Sequence, residues 1–396
     1  MTHKVLISGQ TNLLLWGVSP RSRLERQLRA LNIYDISLDS PTIAHNNYDI
    51  IFNGEYVFDS QSLKFFLEQE RPCALVYNEV VIGLSAGDKS DANLLSYLGH
   101  NISQLPQSVK KINTSDLLTY NDHLRRSEPP LVMPISADNL KIIEDRLYGN
   151  SYKGITDFVT KWIWPRPAKK VVRIFANFQI TPNMVTLVSL ILVIISSLLF
   201  LNGHFIFGLL LGWIMTFLDT VDGKLARVTV TSSRIGHILD HGMDIIHPPI
   251  WYACWASGLI LNSKITPEAA DSITWWIVGG YILGRIIEGL FHALGSCSIF
   301  AWRPFDAVCR LFTARRNPCL LLLSVFTFTG SPDIGLLAVC VWTLFSSVLL
   351  VLRFLQAVFV RLNAGPLDSW LKNEKKAVER NPNLYKAFSS TQKAYE

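Results

Sequence analysis

Charge is scarce in this chain of 396 residues. Asp, Glu, Lys and Arg supply only 17% of it and hydrophobic residues 49%, against a usual charged share of about 25%. A wholly soluble globular protein is excluded by that balance. Cysteine is also sparse: Cys73, Cys254, Cys297, Cys309, Cys319 and Cys340 form no CxxC pair and lie mostly in apolar runs. A disulfide framework and a zinc ribbon are thereby excluded, and buried free thiols are expected. No internal repeat or low-complexity tract is present. The opening MTHKVLISGQ has a short apolar core without a small-residue cleavage site, so no secretory signal is expected.

The shortage of charge is uneven. Residues 1–150 read as an ordinary soluble domain, whereas residues 183–361 hold apolar blocks of spanning length. Six membrane helices are expected, at 183–202, 204–226, 237–261, 273–297, 318–335 and 336–360. One set of flanks holds Lys169, Lys170 and Arg173, then Lys224, Arg227 and Arg234, then Arg303, Arg310, Arg315 and Arg316, then Arg361 and a lysine-rich tail. The alternate connections hold one lysine, Lys264. Excess Lys and Arg marks the cytoplasmic side, so both termini are expected there. Ahead of the first span, Trp162, Ile163 and Trp164 stand beside Lys169, Lys170 and Arg173. That segment, 154–178, is either an interfacial helix on anionic headgroups or a plain basic flank.

In the first 150 residues KVLISG, YDIIFNG and CALVYNE read as buried strands. PRSRLERQLRALNI and SQSLKFFLEQE repeat apolar residues at helical spacing. The alternation predicts an α/β layer fold with a mainly parallel sheet, and residues 105–150 read as connecting structure. The expected organisation is therefore a cytoplasmic α/β domain at 1–150, an interfacial helix at 154–178, a six-helix integral membrane bundle at 179–361 and a tail at 362–396.

The chemistry concentrates in DTVDGKLARVTVTSSRIGHILDHGMD, at the end of the second apolar block. Asp219, Asp222, Gly223 and Ala226 fall at i, i+3, i+4 and i+7, one stripe of a helix. VTVTSS is a poor helix centre, and Ser232 or Ser233 can cap a new helix. On it, Gly236, Asp240 and Asp244 form a second stripe. Four carboxylates facing one point need counter-charge, and oxygen-only ligation suits Mg²⁺ or Mn²⁺. The small residues leave room for a ligand, and Arg227 can hold a phosphate. The plainer reading is a polar helix end dipping into water; two matched acidic stripes at membrane depth favour a functional one.

These residues, D-x-x-D-G-x-x-A-R followed after eight residues by G-x-x-x-D-x-x-x-D, resemble the signature of the CDP-alcohol phosphatidyltransferase family with every fixed position filled. The resemblance covers about 154–361. It implies an enzyme in which an alcohol attacks the phosphate distal to cytidine and CMP leaves. It further implies Asp219, Asp222, Asp240 and Asp244 as ligands of two Mg²⁺ or Mn²⁺ ions, with Asp244 also the general base. Gly223, Ala226, Arg227 and Gly236 would seat the CDP moiety, and Asn183 and Thr186 resemble the family's P-N-x-x-T. A homodimer in the bilayer, without nucleic acid, in a bacterial or archaeal inner membrane completes the expectation.

Arg285, Glu288 and His292 form a further polar stripe in the fourth apolar block. They neutralise one another within the bundle or sit beside an acceptor pocket, where Arg310, Arg315 and Arg316 could hold a phosphate. His237 and His241 are one step round from the aspartates, and with His247 they lack a plausible zinc geometry. Pro248-Pro249 is expected to kink the third span.

VLISG…LLLWGVSPRSRLERQLRALNI is similar to the start of a sugar-type nucleotidyltransferase, and YDIIFNGEYVFDSQSL to its later metal-binding strand. The loop between Gly9 and Leu13 is short for cradling a triphosphate, and the metal aspartate is replaced by Glu55 unless Asp59 serves. An inactive domain is expected.

Two donor readings stay open: CDP-diacylglycerol with a small polar alcohol, or a soluble CDP-headgroup (CDP-inositol-like or CDP-amino-alcohol) with a lipid or polyol-phosphate acceptor. From another class, an intramembrane-carboxylate cation transporter would place its acids near midplane, whereas Asp219 and Asp222 end a helix beside Lys224 and Arg227. A catalytically dead scaffold is opposed by the complete signature.

Overall fold

The computed structural model describes residues 3–38, 48–87, 94–114, 117, 120–121, 124–127, 129–232 and 234–389, without the side chains of 120, 127, 234, 235, 237 and 239–241. The chain divides into two compact units: 1–121 with 127–151 and 228–231, and 122–126 with 152–227 and 232–396.

In the first unit the elements are β1 (Val5–Ser8), α1 (Pro20–Ala30), β2 (Ile36–Leu38), β3 (Ile50–Asn53), β4 (Tyr56–Phe58), α2 (Ser60–Leu67), β5 (Cys73–Tyr77), β6 (Val80–Ser85), β7 (Lys110–Asn113), β8 (Val132–Pro134) and α3 (Leu140–Gly149). The central sheet has the order β2-β1-β3-β6-β5-β7. Val5, Ile7, Ile50, Phe52, Cys73 and Leu75 fill one core, and Leu6, Ile51, Ala74 and Val76 the other. Both faces are buried, which is why these strands read as apolar runs.

The sheet is mixed, not mainly parallel. β1 pairs in parallel with β2 and β3, and β5 with β7, but β6 runs antiparallel to both β3 and β5. The cause is local. Asn78 and Glu79 both have positive φ, the two-residue hairpin geometry that returns a strand antiparallel. Residues 105–150 also hold more than connections: β7 extends the sheet, β8 pairs with β4, and α3 follows.

The second unit is helical: α4 (Pro165–Asn177), α5 (Pro182–Leu201), α6 (Phe205–Thr229), α7 (Arg234–Leu261), α8 (Pro267–Leu294), α9 (Ile299–Trp302), α10 (Pro304–Phe312), α11 (Arg316–Phe328), α12 (Pro332–Ala364), α13 (Glu374–Arg380) and α14 (Pro382–Ser389). Proline at the first turn opens α5, α8 and α12, with Thr181 capping Met184 N and Thr266 capping Ala269 N. A π turn at Val159–Ile163 precedes α4, whose Pro165, Ala168, Val172 and Ala176 are buried while Ile174 is exposed.

The six expected spans fall on helices, but the one expected at 318–335 is broken between α11, ending at Phe328, and α12, starting at Pro332. Four of these helices, α5, α6, α8 and α12, are long and apolar enough to cross a membrane. The thirteen-residue α11 is shorter, and α7 carries the acidic signature and Pro248-Pro249 within its length. Leu187, Ile191, Ile194 and Leu198 leave one side of α5 exposed and apolar, as lipid contact requires. Trp251, Trp255, Leu259, Phe200 and Phe205 form the packed interior. Gly258 lets α7 close onto α5, for a Cβ there would run into the Phe200 carbonyl. All six cysteines are free.

The segment after α12 is packed. Leu367 O accepts from Ser296 Oγ at 3.0 Å, and Trp370 N donates to Ala301 O at 3.1 Å. Phe388 is buried, with the Lys161 ammonium 4.9 Å from its ring.

Candidate active site

α6 runs unbroken through Asp219, Asp222, Gly223, Ala226 and Arg227, because Leu225, Ala226 and Lys224 favour helix. It ends in the β-branched run Val228–Thr231, where Val230 has φ 52°, a left-handed conformation that a β-branched residue adopts only where a turn forces it. α7 then starts at Arg234 and carries Gly236, Asp240 and Asp244. Ser233 and the side chains of Asp240, His237 and His241 lie outside the described residues.

Arg316 joins the two acidic stripes. Its Nη2 donates to Asp219 Oδ2 at 2.5 Å and its Nη1 to Asp244 Oδ1 at 2.7 Å. The counter-charge that the carboxylates require is here a guanidinium. Arg315 and Arg316 open α11, the end of a helix dipole that disfavours cations. Asp219, Asp244 and Glu288 compensate, since Arg315 pairs with Glu288. The Asp219 side chain is 11% exposed and that of Asp244 39%, so Asp244 is the more open of the two.

Thr186 ties α5 to the site by donating to Asp222 Oδ2 at 2.6 Å. Asp222 is buried and lies one turn beyond Asp219. Asn183, in the first turn of α5, is exposed. A Cβ on Gly223 would stand 3.0 Å from the Arg227 guanidinium, so the glycine admits that side chain.

α8 supports α7 from behind. Tyr281 OH donates to the Asp244 carbonyl at 3.1 Å, and Arg285 donates to Tyr281 OH at 3.0 and 3.1 Å. Arg285 also approaches Glu288 at 3.9 Å. His292 is exposed and outside this group. Arg285, Arg315 and Arg316 are engaged with polar protein groups, and Arg310 lies over the Phe300 ring at 5.4 Å. Arg310 keeps a buried Nη1 with no hydrogen-bond partner among the described residues.

Spacing did not reveal Asp157 and Asn317. Asn317 Nδ2 donates to Asp157 Oδ1 at 2.9 Å, and Thr160 N donates to the same oxygen at 3.0 Å. Burial would raise this carboxyl, but Arg310, Thr160 and Asn317 outweigh it and hold it below its ordinary range. Asp157 thereby fixes the residue after Arg316. His247 is expected to serve packing or polar contacts rather than zinc binding. It is buried, its Nδ1 lies 2.6 Å from Met243 O, and Nε2 has no partner among the described residues.

Among the described residues, no three His, Cys, Asp or Glu side chains form a ready metal cluster. The donor chemistry nevertheless fits a hard cation. Asp219 Oδ1 is buried without a hydrogen-bond partner among the described residues, and Arg316 draws the Asp244 carboxylate to the same place, oxygen donors of the kind such a cation takes.

In the first unit, Asp59 is a structural cap. Its carboxylate accepts from Ser62 N at 2.8 Å, Ser62 Oγ at 2.7 Å and Leu131 N at 2.7 Å. The loop after β1 is closed by paired Leu15 and Val18, with Trp16 buried against Tyr148.

Residues 179–305 match the family model for CDP-alcohol phosphatidyltransferase. A choline/ethanolaminephosphotransferase of Arabidopsis thaliana is 34% identical over 145 residues, 33% of this chain and 35% of that protein. The archaetidylinositol phosphate synthase of Pyrococcus horikoshii is 32% identical over 80 residues, 20% of this chain and 42% of that protein. A crystal structure of the Mycobacterium tuberculosis phosphatidylinositol phosphate synthase with CDP-DAG bound aligns over 51% of this chain and 96% of its own, at 19% identity and a TM-score of 0.37. The matched stretch thus spans about a third of the plant relative and less than half of the archaeal one. With a plant protein among the relatives, the matches do not favour the bacterial or archaeal source expected above.

Proposed function

We propose that this protein is an integral membrane phosphotransferase that moves a substituted phosphate from a CDP-linked donor to an alcohol, releasing CMP. The observation that carries the proposal is Arg316 drawing Asp219 and Asp244, from the two halves of one complete signature, onto a single guanidinium.

In this reading the alcohol oxygen bonds to the phosphorus distal to cytidine. The bond from that phosphorus to the bridging oxygen breaks, and CMP leaves with the electron pair. The alcohol proton passes to Asp244, whose Oδ1 is held by Arg316. Arg310 directs its unpartnered Nη1 to a phosphate oxygen. Gly223, Ala226, Arg227, Gly236, Asn183 and Thr186 seat the CDP moiety. Asp219, Asp222, Asp240 and Asp244 would hold two Mg²⁺ or Mn²⁺ ions, which neutralise diphosphate charge when bound. The site faces the cytoplasm and the protein works as a homodimer.

CDP-diacylglycerol with a small polar alcohol is the first donor reading. The plant relative is named for choline and ethanolamine phosphotransfer, which supports the alternative of a CDP-amino-alcohol acting on a lipid. The α/β unit is a nucleotidyltransferase-like domain without activity, a reading supported by the capping role of Asp59 and the closed loop around Trp16.

The test incubates purified protein with Mg²⁺, a panel of CDP donors and a panel of alcohols, and follows CMP. Release with at least one pair, lost in Asp244→Asn, is the expected result. No CMP from any pair, or an unimpaired Asp244→Asn, overturns the mechanism.

A further inference from the structure

Eight residues, 228–235, separate the two halves of the acidic signature, and the first four of them belong to the α/β unit. Val228–Thr231 are part of that compact unit, whereas Arg227 before them and Ser232 after them belong to the helical one. A run of alternating Val and Thr weakens a helix without fixing the residue at which it stops. The place where α6 ends is therefore decided by what meets this run.

Two arginines of α1 meet it. Arg23 donates through Nη1 to the Val228 carbonyl, and Arg26 Nη1 donates to the Thr229 carbonyl at 2.8 Å. These are the last two carbonyls of α6, where a helix lacks its own donors and its dipole favours cations. The next residue, Val230, has φ 52°, and Thr231 Oγ1 lies 2.7 Å from Thr229 Oγ1. The chain thus leaves the helical path immediately after the second guanidinium.

The helix that carries these arginines is firmly seated. Leu24 and Leu28 are buried in the α/β core, and Gln27 Nε2 donates to Phe58 O at 2.9 Å. Arg23 itself is only 5% exposed. Burial and the neighbouring Arg26 push its guanidinium down to about 10, against Asp59, so it keeps its charge at neutral pH. A buried charge persists only where polar groups answer it. Among the described residues, the Val228 carbonyl is the hydrogen-bond acceptor that Arg23 reaches, and its Nε has none.

We propose that Arg23 and Arg26 are positioning residues of the acidic site: by clamping the end of α6 they set the break between the two halves of the signature. The α/β unit thereby has a role other than nucleotidyl transfer. That the site is a phosphotransferase rests on the reading above, whereas the clamp rests on the two hydrogen bonds. Its effect reaches the site along the chain. Without the clamp the last turn of α6 frays, and that turn holds Ala226 and Arg227, which seat the CDP moiety. Asp219 lies farther from the helix end, Asp244 is on α7, and both keep Arg316. Loss of the clamp therefore weakens donor binding more than it slows the chemical step.

The test is hydrogen–deuterium exchange on the full protein in phosphatidylcholine nanodiscs, which reads local opening. The variants are Arg23→Met, Arg26→Met and Arg26→Lys, with Arg29→Met as the control on the same helix. Arg26 and Arg29 are both exposed, so their variants leave the α/β core intact even if Arg23→Met does not. In Arg23→Met and Arg26→Met, exchange of amides 226–231 is expected to accelerate about tenfold while β1 and β3 keep their protection. Arg29→Met should match wild type, and Arg26→Lys, which retains a charged donor, should recover most of the protection. With a CDP donor that supports CMP release, the KM for that donor should rise about tenfold in Arg26→Met and kcat change less than about twofold. Unchanged exchange in both methionine variants, or equal acceleration in Arg29→Met, overturns the clamp. Accelerated exchange with an unchanged KM overturns the positioning role. Exchange needs no turnover, so a protein whose helix end loosens in these variants but which never releases CMP fails the catalytic reading and leaves the clamp standing.

Discussion

Thr186 donates a 2.6 Å hydrogen bond to the buried carboxylate of Asp222, joining the start of one apolar helix to the end of the next. A hydrogen bond to a charged group is worth about 1.5–3 kcal/mol. Thr186→Val keeps the shape and removes the donor, so CMP release should fall about tenfold or more. Thr186→Ser should retain most of it. Equal rates in the valine and serine variants would show that Asp222 is held by other groups.

Arg316 is expected to be less tolerant, because it serves two acids from different helices. Removing one partner from a buried ion pair costs about 3–5 kcal/mol, so Arg316→Ala should unfold at a clearly lower temperature than wild type. Arg316→Lys keeps the charge but loses the fork that spans Asp219 and Asp244. Its thermal stability should be partly restored and its turnover reduced roughly 100-fold. A lysine variant with wild-type turnover would mean that the bridge plays no part in catalysis.

How much of this was written in the sequence depends on the range of the signal. The strands around Val5, Ile50 and Cys73 follow from local composition, and all are present. The two aspartate stripes follow from helical spacing alone. The Asn78-Glu79 turn that reverses β6 has no glycine to announce its positive φ. The partners of the stripes were hidden for a different reason. Asp157 and Asn317 are 160 residues apart, and Thr186 and Asp222 are 36 apart. Neither pair shares a helix face, so only packing brings them together. Arg316 reads in the sequence as one of several basic flank residues, explained by orientation or by a phosphate. That two aspartates take it first could be read only from the fold.

The α/β unit gives a separate expectation. Asp59 satisfies the first turn of α2 and the Leu131 amide, so Asp59→Ala should lower the stability of that unit by about 1–2 kcal/mol. Supplied with CTP and sugar or inositol phosphates, the wild-type protein should form no pyrophosphate. Pyrophosphate formation that disappears in Asp59→Ala would restore a catalytic role to that residue.

Asp157 predicts an acid limit on stability. Its carboxyl is held below its ordinary range in the folded protein, so the folded state favours the ionised form. That contribution is complete above the unfolded value of about 3.9 and is lost as pH falls through the lower folded value. The gap in unfolding temperature between wild type and Asp157→Asn should therefore be constant near neutrality and shrink under acid. A gap that widens as pH falls would reverse the assigned sign.

Lys161 gives the opposite dependence. It is buried ahead of α4, donates to Gly154 O at 2.7 Å and faces the ring of Phe388. Burial, reinforced by Arg126, lowers its ammonium to about 7, whereas in the unfolded chain it titrates near 10.4. Below pH 7 both states carry the proton, and the folded state bears the full cost of a buried cation. Between pH 7 and about 10 the unfolded chain binds more protons than the folded one, so stability rises with pH. Lys161→Met has no proton to lose. The unfolding temperature of wild type relative to this variant, followed from pH 6 to pH 9.5 in one detergent, should stay level to about 7 and then climb. A difference that stays flat across that range would mean that the buried amine keeps its charge, and that hydrogen bonding to Gly154 and the Phe388 ring outweigh its desolvation.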